Sequence, residues 1–350
     1  MVVRRVTEAS AAWLVGGAGL SLPPDWLLAA LRGVVFIGAL LASLTLAVMS
    51  MIYLERRVIA LMQSRVGPNR VGPEGLLQPL ADVLKLLGKE DIIPAGADRV
   101  VFSLAPLVMV VSALLAYAVI PFSEGLVLTD LNIGLVYVLA VGSLSTIGVL
   151  MAGWGSNNKF ALLGAMRAAA QIVSYEVPLV LSVVGVVLLT GSLSLTRIVE
   201  AQTVPFLLLQ PLGFLVFLTA SLAELNRTPF DLLEAESEII AGYHTEYSGI
   251  RFALFFLAEY LNTLTAAALA TTLFLGGWRG PLLPPWLWFI LKVYLVFFVI
   301  MWLRGTLPRV RIDQMLGLAW KILVPLALLN ILLTSAGLSL VQAARPGGLA

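Results

Sequence analysis

AELNRTPFDLLEAESEIIAGYHTEY (Ala223–Tyr247) gathers Glu224, Asp231, Glu234, Glu236, Glu238 and Glu246 around a single arginine, Arg227. The whole chain of 350 residues holds only 20 acidic side chains, so six in one short stretch is a concentration. Apolar runs flank it on both sides. Carboxylates at or near membrane depth are costly and are retained for proton or ion handling or for a partner contact.

The surroundings explain why depth is the issue. The chain is 60% hydrophobic and 12% charged, with a mean hydropathy of +0.98. A soluble domain carries about 25% charged residues. The expected fold class is therefore all-α, a polytopic membrane protein, because helices satisfy their own backbone hydrogen bonds in lipid. The short alternating segments of a β-barrel are not seen. A net charge of +2 does not point to nucleic acid. With no cysteine and His244 as the single histidine, thiolate clusters and histidine-pair zinc or haem sites are excluded within this chain. No cleavable signal is expected, since Arg4 and Arg5 precede a short apolar stretch broken by Gly16, Gly17 and Gly19.

A span needs roughly 20 apolar residues, and eight are expected, over about 27–54, 99–120, 132–153, 171–190, 205–223, 252–275, 286–304 and 319–340, in a single integral-membrane domain covering 1–350. The first, about 42 Å long as a helix, should tilt or protrude. Fifteen lysines and arginines fall on one side of these spans against six on the other. That bias puts the richer side in the cytoplasm and both termini outside. The cytoplasmic loops are long and polar, so the partner or the chemistry should lie on that face. One of them holds LLQPLADVLKLL (76–87), whose Leu76, Leu80, Val83, Leu84 and Leu87 share a helical face suited to lying at the membrane surface.

Two constellations carry chemistry. Glu176 and Glu259 fall inside expected spans and Glu224 ends one; in hydrocarbon such groups pair, face water or hold a proton. A row of them can relay protons, although each also fits a helix-packing hydrogen bond or an interfacial anchor. Glu234 and Glu238 would share a helix face and repel, while a solvated loop accounts for them, and for Glu236, nearly as well. The second constellation is basic. Arg56, Arg65, Arg304, Arg309 and Arg311 stand at cytoplasmic span ends, where topology and lipid headgroups account for most arginines. Yet GPNRVGPEG (67–75) and RGTLPRVRIDQ (304–314) are stiff loops, which suit a shaped site as well as a lipid contact. No phosphate loop, dinucleotide fingerprint or nucleophile elbow is present, so redox or hydrolytic chemistry by this chain alone is not expected.

YLERRV (53–58), RVGPNRVGPEGLLQPLADVLKLLGKE (65–90), GWGSNNKFALLGAMRAAAQIVSYEVP (153–178), FFLAEY (255–260) and RGTLPRVRIDQMLGLAWKILVP (304–325), together with the opening stretch, closely resemble the H subunits of proton-pumping NADH–quinone oxidoreductase, respiratory complex I. The resemblance runs from about residue 27 to 335. It implies a membrane subunit that docks the hydrophilic arm, forms the entrance of the quinone tunnel and starts the charged path toward the pumping subunits. Carried over residue by residue, it implies that Glu55, Arg56 and Arg65 lie beside the tunnel and that Asp231, Phe255 and Arg304 line or border it. It implies an acidic coupling path of Glu176, Glu224, Glu234, Glu246 and Glu259, supported by Glu236, Glu238 and Asp82. It implies quinone as substrate, with iron–sulfur clusters, FMN and NADH on partner subunits. Implied partners are the cluster-bearing and quinone-site subunits of the hydrophilic arm, small membrane subunits beside the acidic path, and lipid of the bacterial inner membrane. Two positions depart from the family pattern: Arg57 stands where lysine is common, and His244 where asparagine is frequent, adding a pH-sensitive group. A membrane-bound hydrogenase or ferredoxin-driven complex is the close alternative, disfavoured by the complete quinone-side loops. An independent proton transporter is the distant one, and a structural anchor for the peripheral arm a third.

Overall fold

A computed structural model describes residues 25–232 and 240–344. Glu234, Glu236 and Glu238 lie outside the described residues. The described residues are helical, with no β-strand and one isolated bridge between Ser123 and Leu126. Among the described residues, seven helices are long and apolar enough to cross a membrane. The chain divides into two compact units, residues 1–50 and 51–350. The described part of the first is the opening of helix α1 (Asp25–Met62).

The second unit begins with the rest of α1, which runs beyond the expected end of the first span and so keeps Glu55 and Arg56 helical. The short helix α2 (Gln78–Gly88) follows, then α3 (Arg99–Ala116), α4 (Gly134–Gly155) and α5 (Lys159–Thr190). The side chain of Asp98 accepts from the backbone N–H groups of Val100 and Val101 at 3.0 and 3.3 Å and starts α3. Asn158 does the same for α5 through Phe160 N at 2.9 Å. Such caps satisfy donors that a helix start leaves open. At the other end of α5, Gly191 takes φ 64°, the left-handed stop that glycine adopts without a Cβ clash.

Small residues let these helices approach closely, as lipid-embedded helices require. A Cβ on Gly148 would stand 2.4 Å from Met109 Cγ, and one on Gly153 would stand 2.3 Å from Ala165 Cβ. The core of the unit is built where α3, α4 and α5 meet α9 (Gly249–Phe274), from Phe102, Ala105, Met109, Val149, Ala152, Ala165, Ala168, Phe255 and Ala258. Tyr247 closes it: its ring stacks on Phe102 at 3.9 Å and its hydroxyl donates to Phe102 O at 3.0 Å.

Between α5 and α9 the chain forms α6 (Leu195–Ala201), α7 (Phe206–Leu209) and α8 (Pro211–Glu224). The expected span 205–223 is thus interrupted at Gln210. Proline at 211 lacks an N–H and fixes its own φ, so it starts a helix better than it continues one. With 14 residues, α8 is about 21 Å long, short of a hydrocarbon core of about 30 Å. Helix α10 (Pro285–Thr306) precedes α11 (Ile312–Leu318), a π-turn over Ala319–Leu323 and α12 (Val324–Ala344). The apolar side chains of Leu76, Leu80, Val83, Leu84 and Leu87 are exposed around α2, as a helix lying on a membrane surface would leave them.

Candidate functional site: a buried arginine–carboxylate cluster beside a polar cavity

Leu225 follows α8, and Asn226 in the left-handed region (φ 52°) turns the chain back toward the helix end. Arg227 N donates to Leu222 O at 3.2 Å, completing the turn. Gln171 of α5 locks it from behind, its Nε2 donating to Ala223 O at 2.7 Å and Phe230 O at 2.9 Å. The result is that Arg227 points inward, only 4% exposed.

Its guanidinium reaches two carboxylates from opposite ends of the sequence. Nη1 lies 3.2 Å from Oε1 of Glu55 on α1, and Nη2 lies 3.2 Å from Oε1 of Glu259 on α9. The Tyr260 ring sits below it, 4.7 Å from the guanidinium carbon. Arg304, from the end of α10, pairs with the same Glu55 oxygen. Two carboxylates and two guanidiniums thus balance in a cluster where Glu55 is 5% exposed. Burial alone would lower the Arg227 pKa, but Glu259 and Glu55 outweigh it and hold the guanidinium above its ordinary value. A paired cluster tolerates burial, whereas removal of one member strands the rest.

This cluster forms one wall of a cavity of about 440 Å³. Arg56, Arg65, Pro68 and Phe256 contribute further walls. The loop carrying Arg65 and Pro68 is stiff for a visible reason. Arg57 ion-pairs with Glu74 at 2.7 Å and donates to its backbone O at 3.0 Å. Gly75 packs so tightly on Pro68 that a Cβ would stand 2.2 Å from Pro68 O, and its φ of 77° also favours glycine. Arg56 pairs with Asp82, whose other oxygen accepts from Gln78 Nε2 at 3.1 Å. Asp231 is buried and lies 3.5 Å from Arg309, beside a backbone hydrogen bond from Val310 N to Pro229 O at 3.0 Å. The stiff 304–314 segment is thereby tied to the acidic stretch.

The remaining acids occupy neighbouring positions. Glu176 accepts from the Ser143 hydroxyl. Glu224 lines a small cavity of about 60 Å³ with Ser145, Ser221, Asn262 and Thr265. Glu246 accepts from Asn158 Nδ2 at 2.5 Å, so the residue that caps α5 also holds this acid. Phe255 packs edge-on against Tyr243 and Tyr247 and lines a second cavity of about 500 Å³ with His244, Phe252, Phe256 and Glu259. Glu259 and Phe256 border both larger cavities. Among the described residues no group of three histidine, cysteine or acidic side chains is arranged to hold a metal ion.

Of the expected site residues, the structure brings Glu55, Arg56, Arg65, Arg304 and Glu259 to one cavity, keeps Asp231, Glu176 and Glu246 in separate polar contacts, and places Glu224 on the wall of the small cavity. Sequence reasoning did not assign Arg227, Tyr260 or Gln171 to the site. The signal for Arg227 was present, a lone arginine among six acids; nothing local marked Gln171.

The family described as NADH dehydrogenase matches residues 35–335. A protein of Dehalococcoides mccartyi (strain CBDB1) is 62% identical over 301 residues, covering 86% of this chain and 85% of its own length. One of Geobacillus kaustophilus is 55% identical over 306 residues, with 85% and 92% covered. One of Syntrophotalea carbinolica is 52% identical over 324 residues, with 90% and 98% covered. Each of the three is named as the H subunit of an NADH-quinone oxidoreductase. With a family match across most of its length and relatives 52–62% identical over 85–98% of theirs, this chain belongs to the family of NADH-quinone oxidoreductase H subunits.

Proposed function

We propose that this chain acts within an assembled, proton-translocating NADH–quinone oxidoreductase, not alone. In that assembly it forms the entrance of the quinone tunnel, docks the hydrophilic arm and couples quinone reduction to proton movement. The observation that carries the reading is the balanced cluster of Glu55, Arg227, Glu259 and Arg304 on the wall of the cavity. A quinone takes two electrons, supplied here by a partner subunit's iron–sulfur cluster, and two protons to become a quinol. As electrons arrive, negative charge develops on its oxygens. Fixed guanidiniums at the cavity wall stabilise that charge. Arg304 would then be shared between Glu55 and the anion. Loosening the Glu55 pair shifts the load onto Arg227 and so onto Glu259. The carboxylates answer by changing protonation, which makes them the bistable element of the coupling. Glu224 and Glu176 carry the response onward, with Glu246, Glu234, Glu236, Glu238 and Asp82 in support.

The rest of the assignment follows the same reading. FMN, NADH and the clusters belong to partner subunits, and small membrane subunits adjoin the acidic path. The interrupted helix pair over 206–224 serves as the eighth span of a single membrane domain in the bacterial inner membrane, with both termini outside, as the positive-inside bias supports. The hydrogenase-type alternative is disfavoured because Arg65 and Pro68 of the quinone-side loop are built into the cavity wall.

Arg304→Ala in the assembled enzyme tests the reading. Quinone reduction is expected to fall by about tenfold or more, less than the about 10²–10³-fold of a dedicated oxyanion donor because Arg304 is shared with Glu55. Transfer from NADH to an artificial acceptor that takes electrons ahead of the quinone should be unchanged. Equal loss of both activities would mean that Arg304 is a structural arginine.

A further inference from the structure

The coupling scheme leaves His244 unused. This single histidine closes the tight turn Gly242–His244, which is firmly seated. A Cβ on Gly164 of α5 would stand 2.7 Å from Gly242 Cα. Thr245 Oγ1 donates to Gly242 O at 2.6 Å, and Tyr247 N donates to His244 O at 3.0 Å. The imidazole is gripped as well, edge-on to Tyr243 at 5.1 Å and tilted against Phe252 at 5.4 Å. It is a positioned ring, not a swinging surface side chain.

That ring faces the 500 Å³ cavity whose other walls are mostly aromatic: Tyr243, Phe252, Phe255 and Phe256. Phenylalanine rings carry no exchangeable proton. Among the described residues, the ionisable groups on the cavity wall are His244, Tyr243 and Glu259. Glu259 also lines the cavity beside Arg227 and pairs with it. A proton reaching Glu259 from the His244 side would therefore alter the charge cluster directly. The cavity is large enough for bridging water, which needs only about 30 Å³ per molecule.

We propose that His244 is a proton-relay residue that passes protons across the aromatic cavity to Glu259. In the transfer an imidazolium N–H bond breaks and an O–H bond forms on the Glu259 carboxylate. The neutral imidazole then regains a proton from water. The proposal rests on the coupling role of Glu259 and adds a donor to it. Other charged groups on the elements around the turn are Glu246 on the turn itself, Arg251 on α9, Lys159, Arg167 and Glu176 on α5, and Lys89, Glu90 and Asp91 ahead of α3. Arg251 is engaged with Asp91 and Glu246 with Asn158. Among the described residues, Glu259 is the charged group that acts appreciably on the imidazole. Burial pushes the His244 pKa below its usual 6.5, and the Glu259 charge pulls it back part of the way. The ring is then mainly neutral at pH 7, and its protonated fraction, hence the relay flux, declines as pH rises.

His244→Asn and His244→Gln, each in the assembled enzyme reconstituted in liposomes, test this. General acid–base steps contribute 10²–10⁴-fold, and a relay that water partly bypasses should contribute about tenfold. Quinone reduction is expected to fall about tenfold at pH 6, where the imidazolium is best populated, and far less at pH 8, where little relay flux remains to lose, with much of the loss at pH 6 restored by added imidazole. Transfer from NADH to an artificial acceptor should stay unchanged. Unaltered turnover, or a loss equal at every pH and insensitive to imidazole, would overturn the proposal. Glu259→Gln measured in parallel separates the two claims. If it too keeps full turnover, the coupling role of Glu259 fails and the relay with it. If it loses turnover while both His244 variants keep theirs, the relay alone is wrong.

Discussion

Arg227→Met is expected to reduce quinone reduction by the assembled enzyme by two orders of magnitude or more and to lower the yield of intact complex. Methionine fills a similar volume, so packing on Tyr260 is largely preserved and the change is one of charge. Glu259 would be left without the guanidinium at 3.2 Å, and Glu55 would lose one of its two guanidiniums and keep Arg304. Breaking a buried ion pair by removing one partner costs about 3–5 kcal/mol, and each 1.4 kcal/mol is a factor of about ten. Protonation of the stranded acid would relieve part of that cost, but a neutral Glu259 could no longer report charge at the cavity. Arg227→Lys should fall between, because one ammonium cannot span both carboxylates as a fork of N–H groups does. Combining Arg227→Met with Glu259→Gln should recover assembly, by removing the stranded charge, without recovering turnover. Quinone-reductase assays with the amount of assembled complex measured alongside check all three variants. Normal assembly and turnover in Arg227→Met would show that the cluster has no part in either.

Gln171→Leu is the second large effect expected, although Gln171 lines neither of the two larger cavities. Its amide donates to Ala223 O and Phe230 O, on either side of the turn that aims Arg227. Leucine removes both donors and leaves two buried carbonyls without them. Each such orphaned group costs about 1–3 kcal/mol. The turn would relax, and Glu224 at its start and Asp231 at its end would shift with it. Quinone turnover should fall about tenfold or more, with a lower melting temperature of the solubilised complex. A purely local stability defect would lower the melting temperature and leave turnover per assembled enzyme unchanged, and that result would remove Gln171 from the account.

The helical, membrane-spanning character of the chain was legible because composition and long apolar runs report directly on lipid. The tight packing of the 67–75 loop was legible too, since Gly75 and the prolines announce it, whereas the expected loop 304–314 begins and ends within helices. The break at Gln210 was not. Hydropathy averages over Phe206–Leu209 and Pro211–Glu224, and reads two helices as one apolar run. The acids and arginines of the site were legible as residue types, because charge in an oily chain stands out. Their pairing was hidden. Glu55 and Arg227 lie 172 positions apart, and Glu55 and Arg304 lie 249 apart, separations at which no local pattern operates. Arg227 stands in sequence among the acids of its own stretch, yet its guanidinium pairs with Glu55 and Glu259. The pairing of Asp231 with Arg309 has the same origin, since two loops meet only once the helices between them have packed.

In the proposed coupling, carboxylates in the membrane part change their charge in response to electrons reaching a quinone. The direct measurement is the number of protons moved per NADH oxidised, in liposomes holding the complete enzyme with Glu176→Gln, Glu224→Gln and Glu259→Gln combined. The complex should assemble, because each glutamine keeps the shape of the acid it replaces and one accepting oxygen, and Arg227 keeps its pair with Glu55, yet quinone reduction should be strongly slowed and the stoichiometry should fall. Wild-type turnover at the wild-type stoichiometry in that triple variant would contradict the account.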